Sequence, residues 1–402
     1  VTIELGETEF DGAEFDLGWE PARLLWSLDA SVSHLNHGSF GAVPVPVQRA
    51  QFRLREEAEA NPMKFFARGL RDRVRLTRRH LAKFVGADPE GTAFVPNVTT
   101  AVTAILRSLE LRAGDEVLIT DHAYGAVAIA VRTVCRAAGA VEVIVPVPLV
   151  ATDADIVELI RARVGPRTRF AVIDQVTSPT ARLFPVHALA GALQREGVVV
   201  LVDAAHAPGL LEVDVTGLGA DFWIGNLHKW ACAPRGTALL AVAPRWRSSM
   251  LSPVVSWAEQ DGFPDSFEQA GTVDLTGWLA APVAVHTLAA FGWGRLRERN
   301  AGLVAWGQDL VGRAMGADPD DLRGDPGVSM RILELPDGIA TTQVQAQALQ
   351  ARIAAEIGCE VAVVAWNGRG LLRLSAHAYN QTTDYRRLAA GLPALLRDAA
   401  RT

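Results

Sequence analysis

Residues 198–230 read VVVLVDAAHAPGLLEVDVTGLGADFWIGNLHKW. The run VVVLV (198–202) is apolar on both faces, as expected of a strand covered on both sides, and DFWIG (221–225) follows with the same character. Each run stops on polar residues. The first ends in Asp203-Ala204-Ala205-His206, a carboxylate at a strand tip with an imidazole one turn later. The second ends in Asn226-Leu227-His228-Lys229. Ligands of open α/β sheets bind beyond the carboxyl ends of the strands, so this stretch points both to a fold class and to the sheet edge that matters.

The pattern extends in both directions. Further strand candidates are TAFV (92–95), DEVLIT (115–120), VEVIVPV (141–147), RFAVID (169–174) and TALLAV (237–242). Helix-length segments such as 123–139 and 186–196 separate most of them, which predicts βαβ units and a mostly parallel, seven-stranded sheet. The link from 225 to 237 is too short for a helical crossover, so one antiparallel or irregular pair is expected there. After Thr272 the character changes. Residues 279–315 read as long helix and Gly324 to Gly327 as a breaker-rich link. A smaller α/β unit follows, with strands at 328–335, near 359–365 and near 371–375, and helices at about 342–357 and 382–399. The start of the chain is irregular before helices at 46–60 and 67–85. The expected division is an N-terminal segment (1–45), a large domain (46–285) and a small C-terminal α/β domain (286–402), with the N-terminal segment packed on the small domain.

Composition narrows the function classes. The chain has 402 residues, 49% hydrophobic and 21% charged, an ordinary globular balance. No stretch of about 18 uncharged apolar residues occurs, so no membrane span is expected. The acidic opening, VTIELGETEFDGAEF, lacks the basic-then-apolar layout of a signal peptide. A net charge of -6 argues against a nucleic-acid binder. Cys135, Cys232 and Cys359 are scattered with no CxxC pair, which argues against a disulfide framework or metal site and for a cytoplasmic location. Of 39 basic residues only Lys64, Lys83 and Lys229 are lysines. Arginine stays protonated and cannot form an imine, so a lysine persisting in this background raises a question about its chemistry.

Five strands deliver polar groups to one edge. DEVLIT ends in Asp121-His122-Ala123-Tyr124-Gly125, RFAVID in Gln175-Val176-Thr177-Ser178, and TAFV in Pro96-Asn97-Val98-Thr99-Thr100 ahead of a helix. This last segment can present N–H groups and hydroxyls to a phosphate, and it reads equally as plain helix capping. Asp203 can likewise be a helix cap. No GxGxxG follows a strand and no GxxxxGK[ST] occurs, so neither a dinucleotide nor a nucleoside triphosphate is indicated. Lys229, set between apolar strands and flanked by His228 and Trp230, is poorly explained as a surface lysine. A lysine, a phosphate cradle and a strand-end carboxylate are together what pyridoxal phosphate requires. The amine forms a Schiff base, and the carboxylate keeps the pyridine nitrogen protonated so that the ring accepts electrons.

These residues also carry a resemblance. LNHGSFGAVP (35–44), NPMKFFAR (61–68), PNVTTAV (96–102), DHAYGAV (121–127), VDAAHAPG (202–209), GNLHKW (225–230), GTVD (271–274) and GRGLLRLSAHAYN (368–380) are its most specific pieces. Over nearly the whole chain they resemble class V aminotransferase-fold enzymes, and within them the isopenicillin N epimerase-like group. The resemblance implies a fold type I architecture (aspartate aminotransferase-like) and pyridoxal 5′-phosphate as cofactor. It implies that Lys229 holds the cofactor and shuttles the Cα proton, that Asp203 pairs with the pyridine nitrogen, and that His206 sits near the ring hydroxyl. Tyr124 is expected to stack on the ring, and Val98, Thr99, Thr100, Asn226 and His228 to hold the phosphate. Thr272 is expected to reach the phosphate in the neighbouring subunit, which makes a homodimer the functional unit. Arg373 matches the arginine that grips the substrate α-carboxylate, a task suited to a bidentate fork.

Some positions depart from that pattern or keep a plainer reading. Ser178 stands where many relatives carry asparagine, which puts its contacts to ring hydroxyl and substrate in question. Asn36 and His37 are placed either at the substrate entrance or in a structural turn around Gly38 and Gly41. Cys359 lies where cysteine desulfurases carry a reactive cysteine, but GCEVAVV reads as a strand start with a packed thiol. Phe65, Phe66 and Trp257 read as core or dimer contacts ahead of a substrate wall, His80, His187 and His286 as packing or surface residues, and Arg182 as a solvated loop arginine ahead of a substrate contact.

The resulting expectation is an enzyme that activates Cα of a small amino-acid substrate. The resemblance leans toward processing of an S-conjugated cysteine (C–S β-lyase type) in secondary metabolism, as in homologues from lincosamide antibiotic assembly. Amino-acid or peptide epimerisation and decarboxylation-dependent deamination remain alternatives. Elimination needs one base, Lys229, whereas epimerisation needs a second acid that the sequence does not name. A non-catalytic cofactor-binding regulatory domain would require Lys229 or Arg373 to be missing.

Overall fold

Alternation of side chains along the strands sets the layers of the fold. A computed structural model describes residues 12–318, 322 and 324–400; the first eleven residues of the acidic opening stretch lie outside it. Near the start of the described chain, β1 (Ser33–His34) is a short strand, and the helices Val45–Ala60 and Leu70–Phe84 follow it. Then come β2 (Thr92–Val95), β3 (Glu116–Thr120), β4 (Val141–Val145), β5 (Thr168–Asp174), β6 (Val199–Asp203), β7 (Phe222–Asn226) and β8 (Ala238–Val242). These seven form one sheet in the order β2-β8-β7-β6-β5-β3-β4. On β6, Val200 and Val202 join one apolar cluster and Leu201 the other; on β5, Ala171 and Ile173 oppose Phe170 and Val172 in the same way. The first face is covered by the helices Asp153–Arg161 and Val186–Arg195, the second by Val98–Ser108 and Gly125–Ala138. Each fully buried Val, Leu or Ile stabilises the fold by roughly 1.5–3 kcal/mol, so the doubly covered sheet is the main source of stability.

Direction within the sheet matters for the site. The pairs β3–β4, β3–β5, β5–β6 and β6–β7 are parallel. The expected antiparallel pair is β7–β8, and β8 is also antiparallel to β2. Six strands therefore run one way and β8 runs against them, so the carboxyl ends of β2, β3, β5, β6 and β7 share one edge. Strand order reverses between β3 and β5, which opens a crevice at that edge.

The later part of the chain differs from the sequence reading in two details. The long helical stretch is two helices, Thr276–Ala289 and Trp293–Met315, broken at Gly292 with φ +75, a conformation open to glycine. The small sheet pairs β9 (Met330–Glu334) and β11 (Ala362–Trp366) with a central β12 (Arg369–Ser375), all antiparallel. Between β9 and β11 the expected single strand is split. Its start, β10 (Cys359–Glu360), leaves the small sheet and pairs in parallel with β1. That pairing, with Ser375 N–H donating to Leu35 O at 2.8 Å, ties residues 33–36 to β12 and brings them to the crevice.

Candidate functional site

The site is built at the carboxyl edge from the ends of β5, β6 and β7 and from β12. Asp203, the last residue of β6, is buried, and its Oδ1 accepts from Ala205 N–H at 3.0 Å. The chain then turns through His206 and Pro208 to Gly209, whose φ is +89. A Cβ on Gly209 would lie 2.5 Å from the Trp230 carbonyl carbon, so only glycine lets this loop pack against the turn after β7. That close approach seats His206 against Lys229, Nε2 to Nζ at 3.1 Å. Trp230 Nε1–H donates to the other ring nitrogen, Nδ1, at 3.2 Å.

Lys229 is buried, and its amine is pushed down to about 7. Burial is the largest cause and the Arg373 charge the next, while Asp203 and Asp174 oppose them. Burial, with the charges of Lys229 and Arg373, holds His206 far below the usual imidazole range. Burial also raises the Asp203 carboxyl, against the pull of Ala205 N–H and Lys229. Asp174, which ends β5 directly opposite Asp203, is pushed well up by burial and by that second carboxyl. The Tyr124 N–H bonds to it. Asp174 was readable only as the tail of RFAVID; the signal that could have found it is the same apolar-run-then-aspartate pattern that marks Asp203.

The other expected residues fall in three places. At the helix Val98–Ser108, Val98 N–H is taken by Asn226 Oδ1 at 3.1 Å and Thr100 N–H by Asn97 Oδ1 at 2.9 Å. Helix geometry gives the N–H of Thr99 no acceptor within the helix. His228 lies half-buried on the β7 turn, its Nδ1 2.9 Å from Thr237 O, and burial brings its imidazole down to about 4. Across the crevice Arg373 of β12 is buried. Its guanidinium donates to Ser178 O, to Ser178 Oγ at 3.2 Å, to Asn36 Oδ1 at 3.2 Å and to Ser39 Oγ at 3.1 Å. The Tyr124 ring is 46% exposed at the mouth and acts electrostatically on Arg373. Thr272 is exposed on the loop at 271–274 and, among the described residues, bonds to none of these groups.

His37 packs beneath the lysine turn, with Nδ1 2.9 Å from Tyr379 Oη and Nε2 3.1 Å from Lys229 O. With Cys232 and His377 it makes a buried cluster of metal-ligand composition, ligand atoms within 4.8 Å of one another. The two imidazoles stack, centroids 4.1 Å apart and planes at 20°. Their in-plane lone pairs therefore run side by side instead of converging as a tetrahedral centre requires. Burial pushes the Cys232 thiol far up, and that of Cys359 to about 11.

One plain reading needs correction. Arg182 is not solvated: it is buried, its Nε donates to Asp325 Oδ2 at 2.9 Å, and its Nη atoms donate to Leu149 O and Ala151 O. The loop position concealed a pocket of acceptors drawn from two distant segments, 149–151 and Asp325. Of the aromatics read as core or dimer contacts, Phe65 is buried, and Trp257 is fully exposed on this chain, which leaves it outside the core.

Comparison with known proteins places this arrangement. The family model described as aminotransferase class-V matches residues 50–388. Isopenicillin N epimerase of Amycolatopsis lactamdurans is 35% identical over 399 residues, 94% of this chain and 98% of that protein. A putative L-cysteine desulfhydrase 1 of Oryza sativa subsp. japonica is 31% identical, covering 92% of this chain and 84% of that protein. Among solved structures the cystine C–S lyase C-DES, in a form with glycine covalently linked to its pyridoxal phosphate cofactor, superposes with a TM-score of 0.78 at 18% identity, over 93% of this chain and 98% of that one.

Proposed function

The chain belongs to the class V aminotransferase family of pyridoxal 5′-phosphate enzymes, and from that premise we propose that it is a C–S β-lyase acting on an S-conjugated cysteine. The observation that carries the reading is the Lys229 amine. It is buried, pushed down to about 7, and 3.1 Å from His206 Nε2, with the Arg373 guanidinium across the crevice to clamp a carboxylate.

The residues fit the cofactor. Lys229 is the buried amine that would hold it, Asp203 the carboxylate for its ring nitrogen, His206 the neighbour of its ring hydroxyl and Tyr124 the aromatic face at the mouth. The start of the helix Val98–Ser108, with Thr99, Asn226 and His228, would take the phosphate. Bound there, the cofactor supplies a sink for the electron pair left at Cα. The remaining tasks fall to the chain. Arg373 holds the substrate carboxylate, with Ser178 and Asn36 orienting its fork. Lys229, displaced by the substrate amine, would be the base placed to take the Cα proton. The Cα–H electrons become the Cα–Cβ double bond, and the C–S pair leaves with sulfur as a thiolate. Hydrolysis of the remaining fragment releases pyruvate and ammonia. One base suffices for this sequence.

The 35% identity to an epimerase favours a second reading, in which a group on the opposite face returns a proton to Cα. One reaction in heavy water separates the two. With a panel of S-substituted cysteines, release of thiol and pyruvate supports the lyase. Recovered substrate with deuterium at Cα, both stereoisomers and no thiol supports the epimerase, and carbon dioxide with an intact C–S bond marks decarboxylation.

The working unit on this reading is a homodimer. Leu251, Val254, Val255, Trp257 and Val273 are exposed apolar side chains along 251–273, the stretch that carries Thr272, which supports a subunit interface there. The three free, buried cysteines suit a reducing compartment, the cytoplasm. Among the described residues no helix is long and apolar enough to cross a membrane.

A further inference from the structure

We propose that Trp230 is a positioning residue that fixes the tautomer of His206 and so holds Lys229 as a free amine. The inference rests on the reading of Lys229 as the cofactor lysine. It follows from counting donors. An indole N–H can only donate, so His206 Nδ1, 3.2 Å from Trp230 Nε1, must be an acceptor. The buried, neutral imidazole then carries its proton on Nε2. That atom lies 3.1 Å from Lys229 Nζ. An ammonium has three donors and no lone pair and would set N–H against N–H, whereas a free amine has the lone pair that the Nε2 proton needs. With His206 in the other tautomer, the same contact would accept from an ammonium instead.

The relay acts on a balance that is otherwise close. Facing Lys229 are the carboxyls of Asp203 on β6 and Asp174 on β5, which favour the charged form, and the guanidinium of Arg373 on β12, which opposes it. His206 bonds to the amine, His228 adjoins it in the chain, and His37 bonds to its carbonyl; burial holds all three imidazoles neutral. Trp230 is firmly seated for its task. It is buried, its carbonyl lies 3.3 Å from His377 Nε2, and its ring packs on His37 at 5.0 Å between centroids. The free amine is the form that attacks an aldehyde.

The test uses the full-length chain freed of cofactor. Long-range proton–nitrogen correlation of its histidines, with His206 assigned through His206→Gln, reads the tautomer directly. The expected result is an unprotonated Nδ1 and a protonated Nε2. In parallel, pH-dependent reductive methylation read by mass spectrometry gives the reactivity of each of the three lysines, with exposed Lys64 and Lys83 as internal standards. Trp230→Phe keeps the apolar volume and removes the donor. It should release the Nδ1–H tautomer and raise the half-reaction pH of Lys229 by about one unit, so that labelling near neutrality slows about fivefold while Lys64 and Lys83 are unchanged. An Nδ1–H tautomer in the unsubstituted chain overturns the proposal, whether or not the variant folds. So does a Trp230→Phe chain with the same tautomer and the same Lys229 reactivity. Failure of the underlying reading looks different: the cofactor would map to Lys64 or Lys83 while the tautomer stays as stated.

Discussion

Asp174 and Asp203 stand directly opposite one another at the ends of neighbouring parallel strands, and both carboxyls are buried. Like charges at neighbouring strand ends in a low dielectric disfavour joint ionisation. Burial and the Asp203 charge push Asp174 well up. Asp203, bonded by Ala205 N–H and facing Lys229, is raised less. Asp174 is thus the carboxyl pushed further toward its neutral form, and Asp203 the one that Ala205 N–H and Lys229 pull toward the anion.

Exchange of each aspartate for its neutral isostere separates the two roles. Asp174→Asn mimics the protonated acid and keeps an acceptor for Tyr124 N–H, so cofactor affinity in a spectral titration should change by no more than about threefold. Asp203→Asn removes the anion and should lower turnover at least about a hundredfold, roughly 2.7 kcal/mol. Equal losses in the two variants would contradict this division.

Burial of Lys229 makes stability depend on pH with a definite sign. Its folded value, about 7, lies below the ordinary 10.5, so the unfolded chain binds the proton more tightly between these limits. The destabilisation is fully present below pH 7 and fades as pH rises toward 10.5. At about 1.4 kcal/mol per tenfold change it is on the order of 5 kcal/mol. Lys229→Met should therefore raise the Tm of the cofactor-free chain, with a gain that is largest below pH 7 and small near pH 10. A pH-independent gain, measured by thermal unfolding across that range, would count against a buried amine.

Arg373→Lys keeps the charge and loses the planar fork. Losing a charge-assisted hydrogen bond costs about 1.5–3 kcal/mol, so kcat/KM with the true substrate should fall roughly 10- to 100-fold while the cofactor spectrum stays intact. Unchanged kinetics would move the carboxylate clamp elsewhere.

Thr272→Ala should weaken cofactor retention if the residue serves the neighbouring subunit. Mixing Lys229→Ala with Thr272→Ala subunits then regenerates one site with both residues per mixed dimer. In subunits shown to exchange, failure to recover any activity would oppose the cross-subunit placement.

Local pattern revealed much of this molecule. The seven strands were legible because Val, Ile and Leu crowd both faces of each, and Asp203 and Lys229 stood out because a polar residue ends an apolar run. The second antiparallel contact, β8 with β2, joins segments about 150 residues apart and has no local signal. Asp174 was overlooked because its significance lies in register with Asp203, which exists only once β5 and β6 pair. Arg182 was misread for a similar reason: Leu149 O, Ala151 O and Asp325 meet it only in the folded chain. The break at Gly292 has a local signal too, but glycine within an apolar helical stretch is often tolerated.

The central claim, that Lys229 is the amine that carries the cofactor, has a direct test because the chain offers only two other lysines. Borohydride reduction of the holoenzyme fixes the pyridoxyl group to whichever nitrogen holds it, and peptide mass spectrometry locates it. The account predicts the adduct on Lys229 alone, and its loss in Lys229→Ala. A pyridoxyl group on Lys64 or Lys83 would contradict it.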